Sequence, residues 1–290
     1  MKIYYWNIRP NFGDLINPWL WPKVFPDFRF ETLPKTKKGV VDAGDAATLL
    51  VGIGTLLNDR FPKSGRSIVI GSGVGYGSAP KISEPSRIYC VRGPKSAEAL
   101  SLPASMGIID PGILLREYYS KADSRSHEFS FMPQISSVAK EQGCWRRICE
   151  DLGFGYIDPR DPVEKSAKAI AETGTLLTES MHGAIVAEAL GVPWVPIVTR
   201  REILAFKWHD WCESVDVEYQ PAFVSSITQP VSPTFRQKLK LSVSLPLAKR
   251  QLQHASKREP SQARDGVIDS RISQLKDVFA EVAKCESVQC

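Results

Sequence analysis

Most of the chain repeats one pattern: a short apolar run, closed by glycine or a charged turn, then a segment of helical periodicity. That alternation constrains the fold more than any other feature, because parallel strands need long crossovers and helices usually supply them. The strand candidates are residues 2–6, 47–53, 67–70, 87–91, 129–132, 154–157, 175–178 and 194–198. Between them, Pro94 suits the first turn of a helix. Residues 144–152 put Trp145, Ile148 and Leu152 on one helical face with Gly153 as the stop. Asp161-Pro162-Val163-Glu164 reads as an Asp cap, a proline at the first position and a Glu three after the cap. Residues 181–190 form a further helix ended by Gly191.

The pattern predicts an α/β protein with two Rossmann-like, doubly wound domains. The length of 290 residues agrees, at about 150 residues per domain. A polar stretch at 120–128 marks the expected boundary, giving an N-terminal domain over 1–122 and a second over 123–222. Residues 223–290 then hold a basic strip and, from Ser270 onward, an amphipathic helix built on Ile272, Leu275, Phe279 and Val282. Within that segment Leu239, Leu241, Val243 and Leu245 alternate with polar residues, which fits a strand or a surface segment ended by Pro246. Two such domains leave a cleft, and ligands of open α/β sheets bind beyond the carboxyl ends of the strands.

With 43% hydrophobic and 24% charged residues, the composition is that of a globular chain and excludes disorder. Basic residues number 37 and acidic ones 32, too slight an excess to indicate a nucleic-acid partner. Its distribution is uneven. No acidic residue stands between Tyr219 and Arg258, where Arg236, Lys238, Lys240, Lys249, Arg250, Lys257 and Arg258 all lie. Such a strip suits phosphates, an anionic bilayer surface or plain solvation. No run of about 18 apolar residues occurs and no signal peptide develops, so the expected location is the cytoplasm. The six cysteines form no C-x-x-C pair, which suits a reducing compartment.

Candidate chemistry falls at strand ends. Thr178-Glu179-Ser180-Met181-His182-Gly183 follows a strand and opens a helix, putting His182 where free N–H groups attract anions and a neutral-range acid can exchange a proton. The alternative is a buried histidine bonded to backbone. Cys90-Val91-Arg92-Gly93-Pro94-Lys95-Ser96 sits at an equivalent junction. Two cations at the positive end of a helix cost stability unless an anion joins them, either a ligand or a neighbouring Asp or Glu. The glycines at 71, 73, 75 and 77 permit close backbone approach to a ligand or form a tight turn. They do not make a dinucleotide fingerprint, since Tyr76 stands where its third glycine belongs, and no Walker lysine follows. Asn11 and Asp14 follow the first strand; Asp14 caps a short helix running through Pro18 or, with Asn11, orients a sugar hydroxyl. Lys207 is a snorkelling surface lysine or an anion ligand. Cys144, Cys149, His209 and Cys212 have poor spacing for zinc, and no metal is expected.

Taken in order, Asn11-Phe12-Gly13-Asp14, Gly52-Ile53-Gly54, Gly71-Ser72-Gly73, Arg92-Gly93-Pro94, Asp110 and Ser180-Met181-His182-Gly183 followed by residues 187–193 resemble the polysaccharide pyruvyl transferase family. The likeness covers about residues 1–212. Asn17-Pro18-Trp19-Leu20-Trp21 and Lys207-Trp208 bring it nearest to the ketal-pyruvate transferases of exopolysaccharide synthesis, the succinoglycan type. The resemblance implies a GT-B-like arrangement, phosphoenolpyruvate as donor substrate without a further cofactor, and a sugar of a lipid-linked oligosaccharide as acceptor. It also implies His182 as the acid, with Arg92 and Asp14 as further catalytic residues. Arg92, Lys95, Lys207, Gly73, Ser180 and Gly183 would bind the donor, and Asn11 and Asp14 the acceptor. Many members carry arginine where Ser180 stands, and Lys207, Arg200 or Arg201 is the expected substitute.

The rival enzyme is a nucleotide-sugar glycosyltransferase of the same architecture. Glu179 and Glu188 stand one position too far apart for the glutamate pair of its retaining members. The non-enzymatic rival is an anion- or membrane-binding module using the basic strip, in peripheral contact with the inner face of the plasma membrane.

Overall fold

The computed structural model describes residues 1–6, 8–32, 47–63, 65–139, 141–200, 203–229, 232 and 234–287; Arg201 lies outside them. The chain separates into two compact units. Unit 1 comprises residues 1–114, 204–218 and 263–290, and unit 2 residues 115–203 and 219–262. These bounds differ from a division into 1–122, 123–222 and 223–290. The polar stretch at 120–128 is tied to unit 2 by Ala122 and Ser126, whose N–H groups donate to the carbonyls of Ala171 and Glu172.

Unit 1 is a five-stranded sheet of β1 (Lys2–Tyr4), β2 (Glu31–Thr32), β3 (Thr48–Val51), β4 (Arg66–Ser72) and β5 (Arg87–Val91), in the order β2-β1-β3-β4-β5. Unit 2 repeats it with β6 (His127–Met132), β7 (Gly155–Tyr156), β8 (Thr173–Thr178), β9 (Trp194–Val198) and β10 (Ala222–Phe223), in the order β10-β9-β8-β6-β7. Every pairing is parallel. Both sheets therefore share one doubly wound order, in which the topology reverses between the first and third strands. The reversal falls between β1 and β3 in unit 1 and between β6 and β8 in unit 2. Central strands covered on both faces read as apolar runs rather than alternations, and β4 buries all but its first residue.

The helices are α1 (Phe12–Val24), α2 (Pro94–Ala99), α3 (Ile135–Val138), α4 (Cys144–Leu152), α5 (Val163–Ala171), α6 (Met181–Ala189), α7 (Ala205–Ser214), α8 (Phe235–Ala255) and α9 (Val267–Ser287). α1 runs past the expected stop at Pro18 and contains Pro22 as well. A proline at 18 cannot donate to the Asp14 carbonyl, and the Asn17 side-chain amide donates to that oxygen instead, at 3.3 Å. Pro162, not Asp161, is the N-cap of α5, and Asp161 pairs with Lys165 at 3.1 Å.

The segment at 239–245 is neither strand nor loose surface but part of α8. A capping box starts the helix: Thr234 Oγ1 accepts from the Gln237 N–H, and the Gln237 side chain accepts from the Thr234 N–H. Leu241 and Leu245, followed by the buried Ala248, Leu252 and Ala255, recur at steps of four and three along the face that meets the unit 2 core. Pro246 is exposed and sits inside the helix. α9 belongs to unit 1. Phe279 stacks edge-on against Trp21 of α1 and Phe25 just after it, and Glu286 takes the Arg66 guanidinium at 2.5 Å.

Candidate functional site

In unit 2 the loops at the topological reversal follow β6 and β8. Glu179, immediately after β8, is fully buried and draws three loops together. Its carboxylate accepts from the Gln134 N–H beyond β6 at 3.1 Å, and from the N–H (3.2 Å) and hydroxyl of Thr199 beyond β9. Burial nevertheless pushes this carboxyl above its ordinary value, against the lowering by Thr199, Gln134 and Ser137. Thr178 Oγ1 accepts the Ser180 N–H at 2.9 Å, and Ser180 Oγ caps α6 by accepting the Gly183 N–H at 3.3 Å. His182 is then the second residue of the helix, half-buried, in the first turn where N–H groups are free.

Arg200 follows Thr199 and donates from Nη2 to the Ser136 carbonyl at 3.2 Å, so a cation stands on the same tier of loops that Glu179 binds together. Ser180 and Gly183 have tasks within unit 2. The first is the cap; a Cβ on the second would press on Thr178 Oγ1 at 2.7 Å and Met132 Sδ at 2.8 Å. Packing within unit 2 therefore accounts for both residue types.

Replacing Glu179 with glutamine is expected to cost about 1–3 kcal/mol, because the amide nitrogen that takes one oxygen's place accepts nothing, whereas a carboxyl oxygen still accepts when it carries the proton. The cost should depend on pH. A carboxyl raised in the folded state contributes stability that is full below the unfolded value near 4.5 and is lost as pH rises through the folded value. The glutamine lacks that dependence, so the deficit is largest near pH 4.5 and shrinks toward neutrality. Tm measured for both proteins across that range checks this; a constant deficit would contradict it.

In unit 1, Arg92 and Lys95 both have counter-charges from the protein itself. Arg92 is fully buried; its Nε donates to Asp210 Oδ2 at 2.8 Å, Nη1 to Thr55 Oγ1 at 2.8 Å and Nη2 to the Val74 carbonyl at 3.3 Å. Asp210 also accepts the Ser96 N–H at 2.8 Å and the Ser96 hydroxyl at 2.6 Å. The anion at the start of α2 is thus the protein's own. Lys95 pairs with Glu213 at 2.9 Å, so α7 supplies both counter-charges. Gly73 is required by the same cluster, because a Cβ there would stand on the Arg92 guanidinium.

Lys207, one turn before Asp210 on α7, differs. It is 9% exposed, and among the described residues its Nζ meets only the Tyr76 hydroxyl, at 3.5 Å, with the Tyr76 ring 6.0 Å away. Tyr76 is held at φ 60°, a left-handed conformation that costs a bulky residue about 1–2 kcal/mol. A buried ammonium with no carboxylate partner among the described residues suits an incoming anion. In the loop beyond β1, Asn11 is the N-cap position of α1; its Nδ2 donates to Asp14 Oδ2, in the first turn of the helix, at 2.7 Å. Buried Asn17 clips the next loop, donating to the Ile53 carbonyl at 2.9 Å and accepting its N–H at 3.0 Å.

Sequence reasoning missed Asp210, Glu179 and Asn17 as organisers of these loops. Asp210 carried no local signal, since its partner lies 118 positions away. Glu179 is legible in the sequence as a strand-end carboxylate, but its partners Gln134 and Thr199 lie 45 and 20 positions away. Among the described residues no group of His, Cys, Asp or Glu is arranged to hold a metal ion.

Fold and loops together define a doubly wound α/β protein of two like units, with a histidine at a helix start beside one sheet reversal and a buried lysine in the other unit. No family model matches the chain. Among curated proteins it is similar to the succinoglycan biosynthesis protein ExoV of Rhizobium meliloti (strain 1021). The two are 39% identical over 234 residues, which span 79% of this chain and 69% of that protein. The chain belongs to the polysaccharide pyruvyl transferase family, alongside its succinoglycan-type members.

Proposed function

We propose that the protein is an enzyme of exopolysaccharide biosynthesis that transfers pyruvate from phosphoenolpyruvate to a sugar of a lipid-linked repeat unit, forming a ketal and releasing phosphate. The observation that carries the reading is His182 in the first turn of α6, beside the β6/β8 reversal, in a chain 39% identical to ExoV. Protonation of the methylene carbon by His182 leaves an electron-poor C2. One sugar hydroxyl adds there, phosphate departs with the C–O bonding pair, and a second hydroxyl adds to close the ketal, the hydroxyl protons passing to solvent or back to the imidazole.

The substrate's carboxylate and phosphate need cations. Arg200 is assigned the place of the arginine that many members carry where Ser180 stands, since it shares a unit and a loop tier with His182. Lys207 is assigned to the donor as well, on its burial beside a phenol alone. Arg92 becomes a positioning residue that fixes Thr55 and the loop at 73–75, and Asn11 with Asp14 is assigned to the acceptor hydroxyls. The glycosyltransferase reading loses ground further, because Glu188 is buried and accepts the Trp194 indole N–H at 2.8 Å.

The test is to incubate the protein with phosphoenolpyruvate and a saccharide acceptor, following phosphate release and the ketal by mass spectrometry. Arg200→Gln and Lys207→Gln are each expected to raise KM for phosphoenolpyruvate about 10–100-fold, the value of a charge-assisted hydrogen bond. Turnover of a nucleotide sugar instead would overturn the reading.

A further inference from the structure

α8 has two apolar faces, and the core uses only one of them. Leu241, Leu245, Ala248 and Leu252 turn toward the unit 2 core. Phe235, Leu239, Val243 and Leu247 recur at four-residue steps on the outward side and are 81%, 59%, 65% and 44% exposed. A core-facing stripe accounts for the helix's place in the fold, so the outward stripe has no task within the described residues. A contiguous exposed apolar row of this kind marks an interaction surface.

Its occupant is indicated by charge. Arg236 and Arg250 lie among the outward apolar residues, Lys240 borders them and Lys238 flanks them across the helix. All four are exposed, and no acidic residue occurs in the chain between Tyr219 and Arg258. Lys249, by contrast, is taken by Asp151 at 2.9 Å. A row of Phe, Leu and Val bordered by Lys and Arg, with no carboxylate interleaved, is complementary to a surface that is apolar within and anionic at its rim. That is the chemistry of an anionic lipid bilayer met by a helix lying in its plane. Among the described residues no helix is long and apolar enough to cross a membrane.

We propose that the first half of α8 docks the protein on an anionic lipid surface, with Phe235, Leu239 and Val243 entering the headgroup region and Arg236, Lys238 and Lys240 meeting lipid phosphates. The proposal goes beyond pyruvyl transfer and does not rest on it. Full-length protein is sedimented with vesicles of phosphatidylglycerol and phosphatidylethanolamine, and with vesicles of phosphatidylcholine alone. Wild type is expected to bind the anionic vesicles only, less as salt rises. The triple variant Arg236→Gln, Lys238→Gln, Lys240→Gln should bind about 100-fold more weakly. Phe235→Ser, Leu239→Ser, Val243→Ser should weaken binding at least as much, with an unchanged far-UV spectrum because all three positions are exposed.

Equal binding to phosphatidylcholine, undiminished binding by both variants, or no binding at all would overturn the proposal. So would a concentration-dependent dimer abolished by the serine variant, which would give the face to a second copy. Pyruvyl transfer to a water-soluble acceptor is assayed in parallel, so loss of vesicle binding and loss of the enzymatic reading are seen separately.

Discussion

Replacing His182 with alanine is expected to abolish release of phosphate from phosphoenolpyruvate, by about 10²–10⁴-fold, the usual contribution of a positioned acid. The variant should fold normally. His182 is half-buried at the second position of α6, and the helix is anchored by Ser180 ahead of it and by Ala184, Ile185, Val186 and Ala187 behind it, all buried. Alanine is also a better helix former than histidine. A stopped assay of phosphate, with ketal formation followed on the same samples and circular dichroism as the control for folding, checks both halves. Retained transfer by the folded variant would remove His182 from the chemistry.

The second large effect concerns stability. Asp210→Ala is expected to cost about 3–5 kcal/mol, because it strands the Arg92 charge in a fully buried site. The loss also frees the Ser96 N–H at the start of α2, which has no other side-chain cap. Urea denaturation reads the cost directly. Replacing both partners, as Arg92→Met with Asp210→Leu, should recover much of it, since two apolar side chains leave no orphaned charge. If the single variant were as stable as wild type, the pair would not be the post on which the loops after β3, β4 and β5 rest.

Much of the fold was legible because strand runs and helix stops are local. α4 and β9 have the residues expected of them, and β5 likewise. What the sequence hid has identifiable causes. Leu239, Leu241, Val243 and Leu245 imitate a strand's alternation because α8 is apolar on two sides, with 241 and 245 inward and 239 and 243 outward. α1 outlasts Pro18 because Asn17 satisfies the carbonyl that proline leaves. The place of His182 at a helix start was readable because its motif lies at a strand end, and the partner of Arg92 was not, because it is distant in the chain. Arg92 has the same sequence whether its anion is a ligand or Asp210, and only the fold decides between them.

The division of the chain has a consequence for how the molecule is made. It passes from one unit to the other at 114/115, back at 203/204, over again at 218/219 and back at 262/263. When the ribosome has completed the first sheet, the counter-charge for Arg92 is still to be translated, and so are the ring of Phe279 and the carboxylate of Glu286 that close over α1 and β4. The unit begun first is therefore completed last, and a nascent chain must carry an unfinished half until its closing helix emerges.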